Sequence, residues 1–259
     1  MKTLQGKIVV VTGASRGLGL ELARAFALDG CRVAMAGRDQ RALQDAAEKI
    51  AALGARTLPF TCDVTRREEV EKLAERITTV WEPAQILINN AGIARAMRFI
   101  DMSDELWHDI LAVNLTGAYN CCKVFLPKMV EAKWGRIINI ASTTAKVGYP
   151  YVSAYTASKH GLLGLTRSLA LETAQQGVTV NAICPGYIDD ERTRENARAM
   201  AEKTGKTLDD IIKLFAASAP QNRLIAPAEV ASLAVLIASE RLGGMTGQAL
   251  NVDGGAVMV

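Results

Sequence analysis

The chain has only two histidines, His108 and His160, and no CxxC pair among its five cysteines. Both histidines fall in helical stretches with no cysteine at ligand spacing, so a zinc-type ligand set is not expected. An odd set of thiols (Cys31, Cys62, Cys121, Cys122 and Cys184) cannot all pair within one chain. It reads as buried thiols in a reducing cytoplasm. An excess of one charge sign is also lacking. Thirty Lys and Arg against 27 Asp and Glu leave a formal charge of only +3, which gives no electrostatic reason to expect nucleic acid or an anionic membrane as partner. No apolar run reaches the length of a membrane span. Met1 to Lys7 leads at once into an apolar strand, so a cleaved leader is not expected. There is no repeat, low-complexity tract or linker. With 49% hydrophobic residues, residues 1–259 are read as one well-buried domain.

What is present is an alternation of short apolar runs and longer amphipathic ones. Strands are expected at Lys7–Thr12, Arg32–Ala36, Arg56–Thr61, Ile86–Ile88, Arg136–Ile140, Val178–Ile183 and Ala249–Val252. Helices are expected at Leu18–Leu28, Asp39–Leu53, Arg66–Val80, Ser103–Lys133 (long, with a bend) and Ser153–Gln176. Two or three polar helical segments fall in Asp190–Ala219, and another helix starts after Pro227 near Glu229. Strands spaced by single helices imply right-handed crossovers, hence a doubly wound parallel sheet with helices on both faces. Ligands of such sheets bind beyond the carboxyl ends of the strands, so each strand end is a place to look for chemistry.

The first strand ends in Thr12-Gly13-Ala14-Ser15-Arg16-Gly17-Leu18-Gly19, and a helix follows directly. Three glycines permit a tight turn and a close backbone approach to a pyrophosphate, which the helix N-terminus favours electrostatically. Alone, such a loop reads equally as a plain strand-to-helix turn; its place between the first strand and first helix favours the dinucleotide reading. The second strand ends Ala36-Gly37-Arg38-Asp39. Gly37 stands where an NAD site usually carries an acid for the ribose 2′-hydroxyl. Arg38 follows with a fork suited to a 2′-phosphate, and Arg16 can approach from the other side, so NADP(H) is expected. Asp39 is the competing ribose-binding acid. Asp63-Val64 can serve the adenine, or Asp63 can simply cap the next helix. Asn90, Ala91 and Gly92 allow backbone approach to a ribose, or form only a turn.

Ser142 lies two residues beyond the fifth strand. Tyr155 and Lys159 are spaced i, i+4 and share a helix face. An ammonium near a phenol favours the phenolate and makes it a usable general acid at neutral pH. Asn114 falls mid-helix, where a kink or a satisfied core amide is the plain alternative.

Taken together, Thr12–Gly19, Asp63, Asn89–Gly92, Asn114, Ser142, Tyr155 with Lys159, and Pro185-Gly186 resemble the short-chain dehydrogenase/reductase family almost end to end. The resemblance implies a Rossmann sheet of six or seven strands and a homotetramer or homodimer built on the two long helices. It implies that Tyr155 is the acid/base, that Lys159 lowers its pKa and binds the nicotinamide ribose, that Ser142 positions a carbonyl, and that Asn114 holds a water. It places Gly13, Ser15, Arg16, Gly17, Leu18, Gly19, Arg38, Asp63, Val64, Asn90, Ala91, Gly92, Pro185, Gly186 and Ile188 against the cofactor. One position departs. Many relatives carry threonine four residues past Gly186, and this chain has Asp190, which must turn outward or pair with Arg192 or Arg194.

The expected activity is NADPH-dependent, reversible reduction of a ketone. The chain resembles 3-oxoacyl reductases and aromatic polyketide ketoreductases, so the substrate is a 3-oxoacyl thioester on CoA or a carrier protein, or else a bulky cyclic or aryl ketone. A lid is expected over 187–219. With Ala94–Met102 and Thr143–Val152 it is expected to enclose the substrate, the candidate apolar walls including Ala94, Met97, Phe99, Tyr149, Ile188 and Phe215. Lys146, Arg192, Arg194, Arg198, Lys203, Lys206 and Lys213 either meet a phosphate-bearing arm or form a solvated face. A cofactor-binding regulator without catalysis is the alternative of another class.

Overall fold

The structure is a computed structural model that describes residues 3–259. Seven strands form one sheet in the order β3-β2-β1-β4-β5-β6-β7, with every neighbouring pair parallel. The strands are β1 (Ile8–Thr12), β2 (Arg32–Gly37), β3 (Thr57–Thr61), β4 (Ile86–Asn89), β5 (Gly135–Ile140), β6 (Val178–Pro185) and β7 (Ala249–Val252). Central strands β1, β4, β5 and β6 are buried along their whole length, as parallel strands covered on both faces must be. Pro59 sits in β3, at the sheet edge, where a missing N–H costs no ladder bond.

Alternating side chains of β1 divide between two cores. Val9 and Val11 pack under α1 (Gly17–Leu28), α2 (Gln40–Ala51) and α9 (Pro227–Ala238), through Leu22, Phe26, Leu43 and Ile237. Ile8 and Val10 face α3 (Arg67–Val80), α5 (Gly117–Glu131) and α6 (Ser153–Thr173), through Leu73, Ile77, Phe125 and Met129. The strand order reverses between β1 and β4, which opens a crevice at their carboxyl ends.

The long helix expected over Ser103–Lys133 is α4 (Asp104–Leu111), a π-helical turn at Ala112–Thr116, and α5. Asn114 sits in the π turn, and single π turns concentrate at functional sites. The polar segment after β6 forms α7 (Glu191–Thr204) and α8 (Leu208–Ala217). Ala197, Ile211 and Phe215 give it a small core of its own. A parallel bridge between Ile188 and Ile225 brings the two ends of this segment together.

Candidate active site

The loop after β1 is shaped by close approach. Gly13 and Gly17 have φ of +64° and +54°, a region that glycine enters without strain. A Cβ on Gly19 would be driven into the Gly13 carbonyl. Asn90 braces the loop by donating to the Thr12 and Gly13 carbonyls at 2.9 and 3.2 Å. Thr12 Oγ1 accepts from the Asn90 and Ala91 N–H groups, both at 3.0 Å. The first turn of α1 has no side-chain cap, so its N–H groups remain free for an anion. This cradle fits a dinucleotide diphosphate. A cleft of about 430 Å³ runs from it past Arg38, Asp63 and Val64 to Gly92.

At the β2 end of the cleft Arg38 and Asp39 differ in what they bind. Asp39 caps α2, accepting the Ala42 N–H at 3.0 Å. Arg38 is exposed and makes no ion pair among the described residues. Arg16, by contrast, pairs with Glu195 of α7 at 2.5 Å. Asp63 closes a local turn, its Oδ1 accepting from the Thr65 N–H and hydroxyl. Asn120 donates to the Val64 and Thr65 carbonyls and holds that turn against α5. Gly117 leaves room for Val64, since a Cβ there would stand 2.5 Å from Val64 Cγ2.

At the other end Ser142 caps the short turn Thr143–Ala145, accepting the Thr144 N–H at 3.2 Å. That bond uses a lone pair and leaves the hydroxyl proton free to be donated. The Lys159 ammonium donates to the Ile140 carbonyl at 2.7 Å and lies 5.7 Å from the Tyr155 ring centre. Burial, reinforced by the charge of Arg192, pulls the Lys159 pKa down to about 7. Asn114 is buried; its Oδ1 accepts from the Ile93 N–H at 2.8 Å. Its Nδ2 donates to the Ile93 carbonyl and to Ser158 Oγ, which itself donates to the Tyr155 carbonyl at 2.7 Å. One amide thus fastens the Gly92–Ile93 loop to the helix that carries Tyr155 and Lys159.

Several sequence expectations are corrected. Asp190 neither turns outward nor pairs with an arginine. It caps α7 by accepting the Thr193 N–H at 2.9 Å and is buried against Gly17. Lys146 is spent on the Ala249 and Val259 carbonyls. Arg194 and Arg198 pair with Asp189 and Glu191. Ile188 packs its side chain into the main core, leaving only its backbone available to a ligand. Phe215 belongs to the α7–α8 core and stacks on Tyr187 at 4.3 Å. Thr12, Ser158 and Asn120 were not singled out from sequence. For Thr12 the signal was a hydroxyl closing an otherwise apolar strand.

Residues 7–201 match the family described as short chain dehydrogenase. The chain is 37% identical to the D-beta-hydroxybutyrate dehydrogenase of Cupriavidus necator, over 98% of this chain and 99% of that protein. It is 34% identical to the 3-oxoacyl-(acyl-carrier-protein) reductase FabG of Escherichia coli K12, with the same coverage. A crystal structure of a variant actinorhodin polyketide ketoreductase with NADPH aligns with a TM-score of 0.94 at 34% identity, over 99% of both chains. With the glycine cradle, the Ser142, Tyr155 and Lys159 positions and this end-to-end likeness in hand, the chain belongs to the short chain dehydrogenase family and is an oxidoreductase acting on C=O and CH–OH groups.

Proposed function

We propose that the enzyme reduces the ketone of a 3-oxoacyl thioester with NADPH. The observation that carries the cofactor choice is at the end of β2. Arg38 is a free guanidinium beside the cleft, while the neighbouring carboxylate of Asp39 is committed to capping α2. A 2′-phosphate meets an unpaired fork there, and the Asp39 carboxylate is held towards α2 through Oδ1. The thioester reading draws support from FabG, and the NADPH reading from the cofactor of the actinorhodin ketoreductase structure.

The bound nicotinamide supplies hydride to the ketone carbon. Ser142 donates its free hydroxyl proton to the ketone oxygen. Tyr155 donates to the same oxygen and transfers its proton as charge develops there. Lys159, held by the Ile140 carbonyl, sets its amine beside the phenol and supplies positive charge there when protonated, and Asn114 fixes the loop that faces it. Ser142, Tyr155, Lys159 and Asn114 are thereby assigned the chemistry. The glycine loop, Arg38, Asp63-Val64, Asn90–Gly92 and the Pro185–Ile188 backbone are assigned the cofactor. Assembly as a homotetramer or homodimer through α5 and α6 accounts for Tyr119 and Leu171, which are 43% and 84% exposed on those helices. No described helix is long and apolar enough to cross a membrane. All five cysteines are free and buried, which suits a reducing cytoplasm.

Arg38→Asp is expected to lower kcat/KM for NADPH by about 10²-fold or more, since it removes charge-assisted bonds and adds repulsion, with NADH use little changed. Steady-state rates with both cofactors read this out; equal loss on both would remove Arg38 from the 2′-phosphate. The substrate is tested by consumption of NADPH with acetoacetyl-CoA and with bulky cyclic and aryl ketones. Turnover of the bulky ketones alone would favour the second reading, for which the grouping of Tyr149, Tyr155 and Tyr187 at the site speaks.

A further inference from the structure

Arg192 stands in the first turn of α7, two residues past Asp190. It is half-buried, lines the cleft and reaches across it, with Nη1 3.4 Å from the Gly92 carbonyl. Gly92 adjoins the chemistry: a Cβ there would lie 3.2 Å from Asn114 Oδ1 and 3.8 Å from Lys159 Nζ. A dinucleotide with its adenosine at Arg38 and its nicotinamide by Lys159 must pass its diphosphate between the glycine loop and Gly92. Arg192 projects into that stretch.

Its neighbours are all satisfied. Arg16, Arg194 and Arg198 pair with Glu195, Asp189 and Glu191 at 2.5, 2.6 and 2.8 Å. Arg192 has no carboxylate partner among the described residues and makes one long contact with five donors to place. A partly desolvated guanidinium in that condition gains most from an anion. The charge balance points the same way. Asp190 caps α7 with Oδ1, while its Oδ2 would be 2.9 Å from a Cβ on Gly17, in the diphosphate cradle. A buried carboxylate there opposes phosphate unless a cation is supplied close by. Arg192, two residues on and lining the same cleft, is placed to supply it, and its charge is felt as far as Lys159.

We propose that Arg192 grips the cofactor diphosphate and ties α7 to the bound dinucleotide. The proposal rests on the dinucleotide reading alone and is independent of the preference for NADPH over NADH.

The test is binding, by calorimetry or fluorescence titration, to wild type, Arg192→Gln and Arg192→Lys. Four ligands are used: NADPH, NADH, 2′-phospho-ADP-ribose, and adenosine 2′-monophosphate, which lacks any 5′-phosphate. Arg192→Gln is expected to weaken the first three by the same factor, about 10- to 100-fold, and to leave the fourth within about twofold. Arg192→Lys should recover part of the loss, because it keeps the charge without the fork. The thermal midpoint of the cofactor-free protein should not move, since only one long bond is removed. Unchanged affinity for NADPH and 2′-phospho-ADP-ribose would overturn the proposal. So would an effect seen only in KM for an anionic ketone, which would make Arg192 a substrate contact, or equal loss on the 5′-phosphate-free ligand, which would mean general damage. A wild type that binds NADH as well as NADPH would sink the NADPH reading and leave the Arg192 comparison intact.

Discussion

Tyr155→Phe is expected to lower kcat by about 10²- to 10⁴-fold while leaving the dissociation constant for the cofactor within about threefold. The magnitude follows from what is removed. General acid catalysis disappears because no other O–H group at the site has a lysine amine beside its ring, as Tyr155 has Lys159 at 5.7 Å. Ser142 keeps its proton for donation but has only the Thr144 N–H behind it, a neutral donor that does little to make it acidic. Ser142→Ala should therefore cost less than Tyr155→Phe, as the loss of one hydrogen bond to the developing charge. The Tyr155 change is also clean. The phenol oxygen has no hydrogen-bond partner among the described residues, and the ring packing is retained, so no buried acceptor is orphaned. Single-turnover rates with saturating cofactor, together with a cofactor titration, measure both quantities. A loss below tenfold would remove Tyr155 as the acid. Loss of turnover with unchanged physiological effect in cells would instead favour the regulator reading, in which the bound dinucleotide is only sensed.

The parts of this site that were legible in sequence are those fixed by local periodicity. Gly13, Gly17 and Gly19 follow an all-apolar run, so their place after a buried strand could be read directly. Tyr155 and Lys159 share a helix face by spacing alone. What was not legible depends on contacts between distant segments. The bend in the helix expected over Ser103–Lys133 is a π turn, and its purpose shows only when Asn114 meets Ile93 and Ser158, 21 and 44 residues away. Asp190 was read as an electrostatic problem to be turned away from the cofactor. Its capping bond to Thr193 holds it in place, and a capping bond competes with solvation in a way that a charge argument alone does not weigh. Lys146 was read as a free cation, but the carbonyls that hold it belong to residues 103 and 113 positions later. Arginine pairing on α7 was likewise invisible, and it is what isolates Arg192.

Lys159→Met is expected to abolish useful turnover and, in the cofactor-free protein, to raise stability at neutral and acid pH. The cause is burial. Lys159 is 4% exposed, and its ammonium has one carbonyl partner and no carboxylate. Desolvation, with the nearby charge of Arg192, lowers its pKa from 10.5 to about 7. The sign follows from proton counts. Between about pH 7 and 10.5 the unfolded chain holds a proton on this lysine that the folded chain has released, so wild-type stability rises with pH across that window. The slope is at most about 1.4 kcal/mol per pH unit. Below about pH 7 both states are protonated and the full cost of a buried charge is carried. Methionine has a similar length, fills the space without charge, and sacrifices only the bond to Ile140. Its stability advantage should thus be greatest below about pH 7 and shrink steadily towards pH 10. Chemical denaturation of both proteins at several pH values decides the matter. A difference independent of pH, or a variant less stable at pH 6, would show that Lys159 is not held at a cost in the folded chain. Under the role proposed for Lys159, the gain on substitution is the cost of holding a poorly solvated charge beside the phenol that uses it.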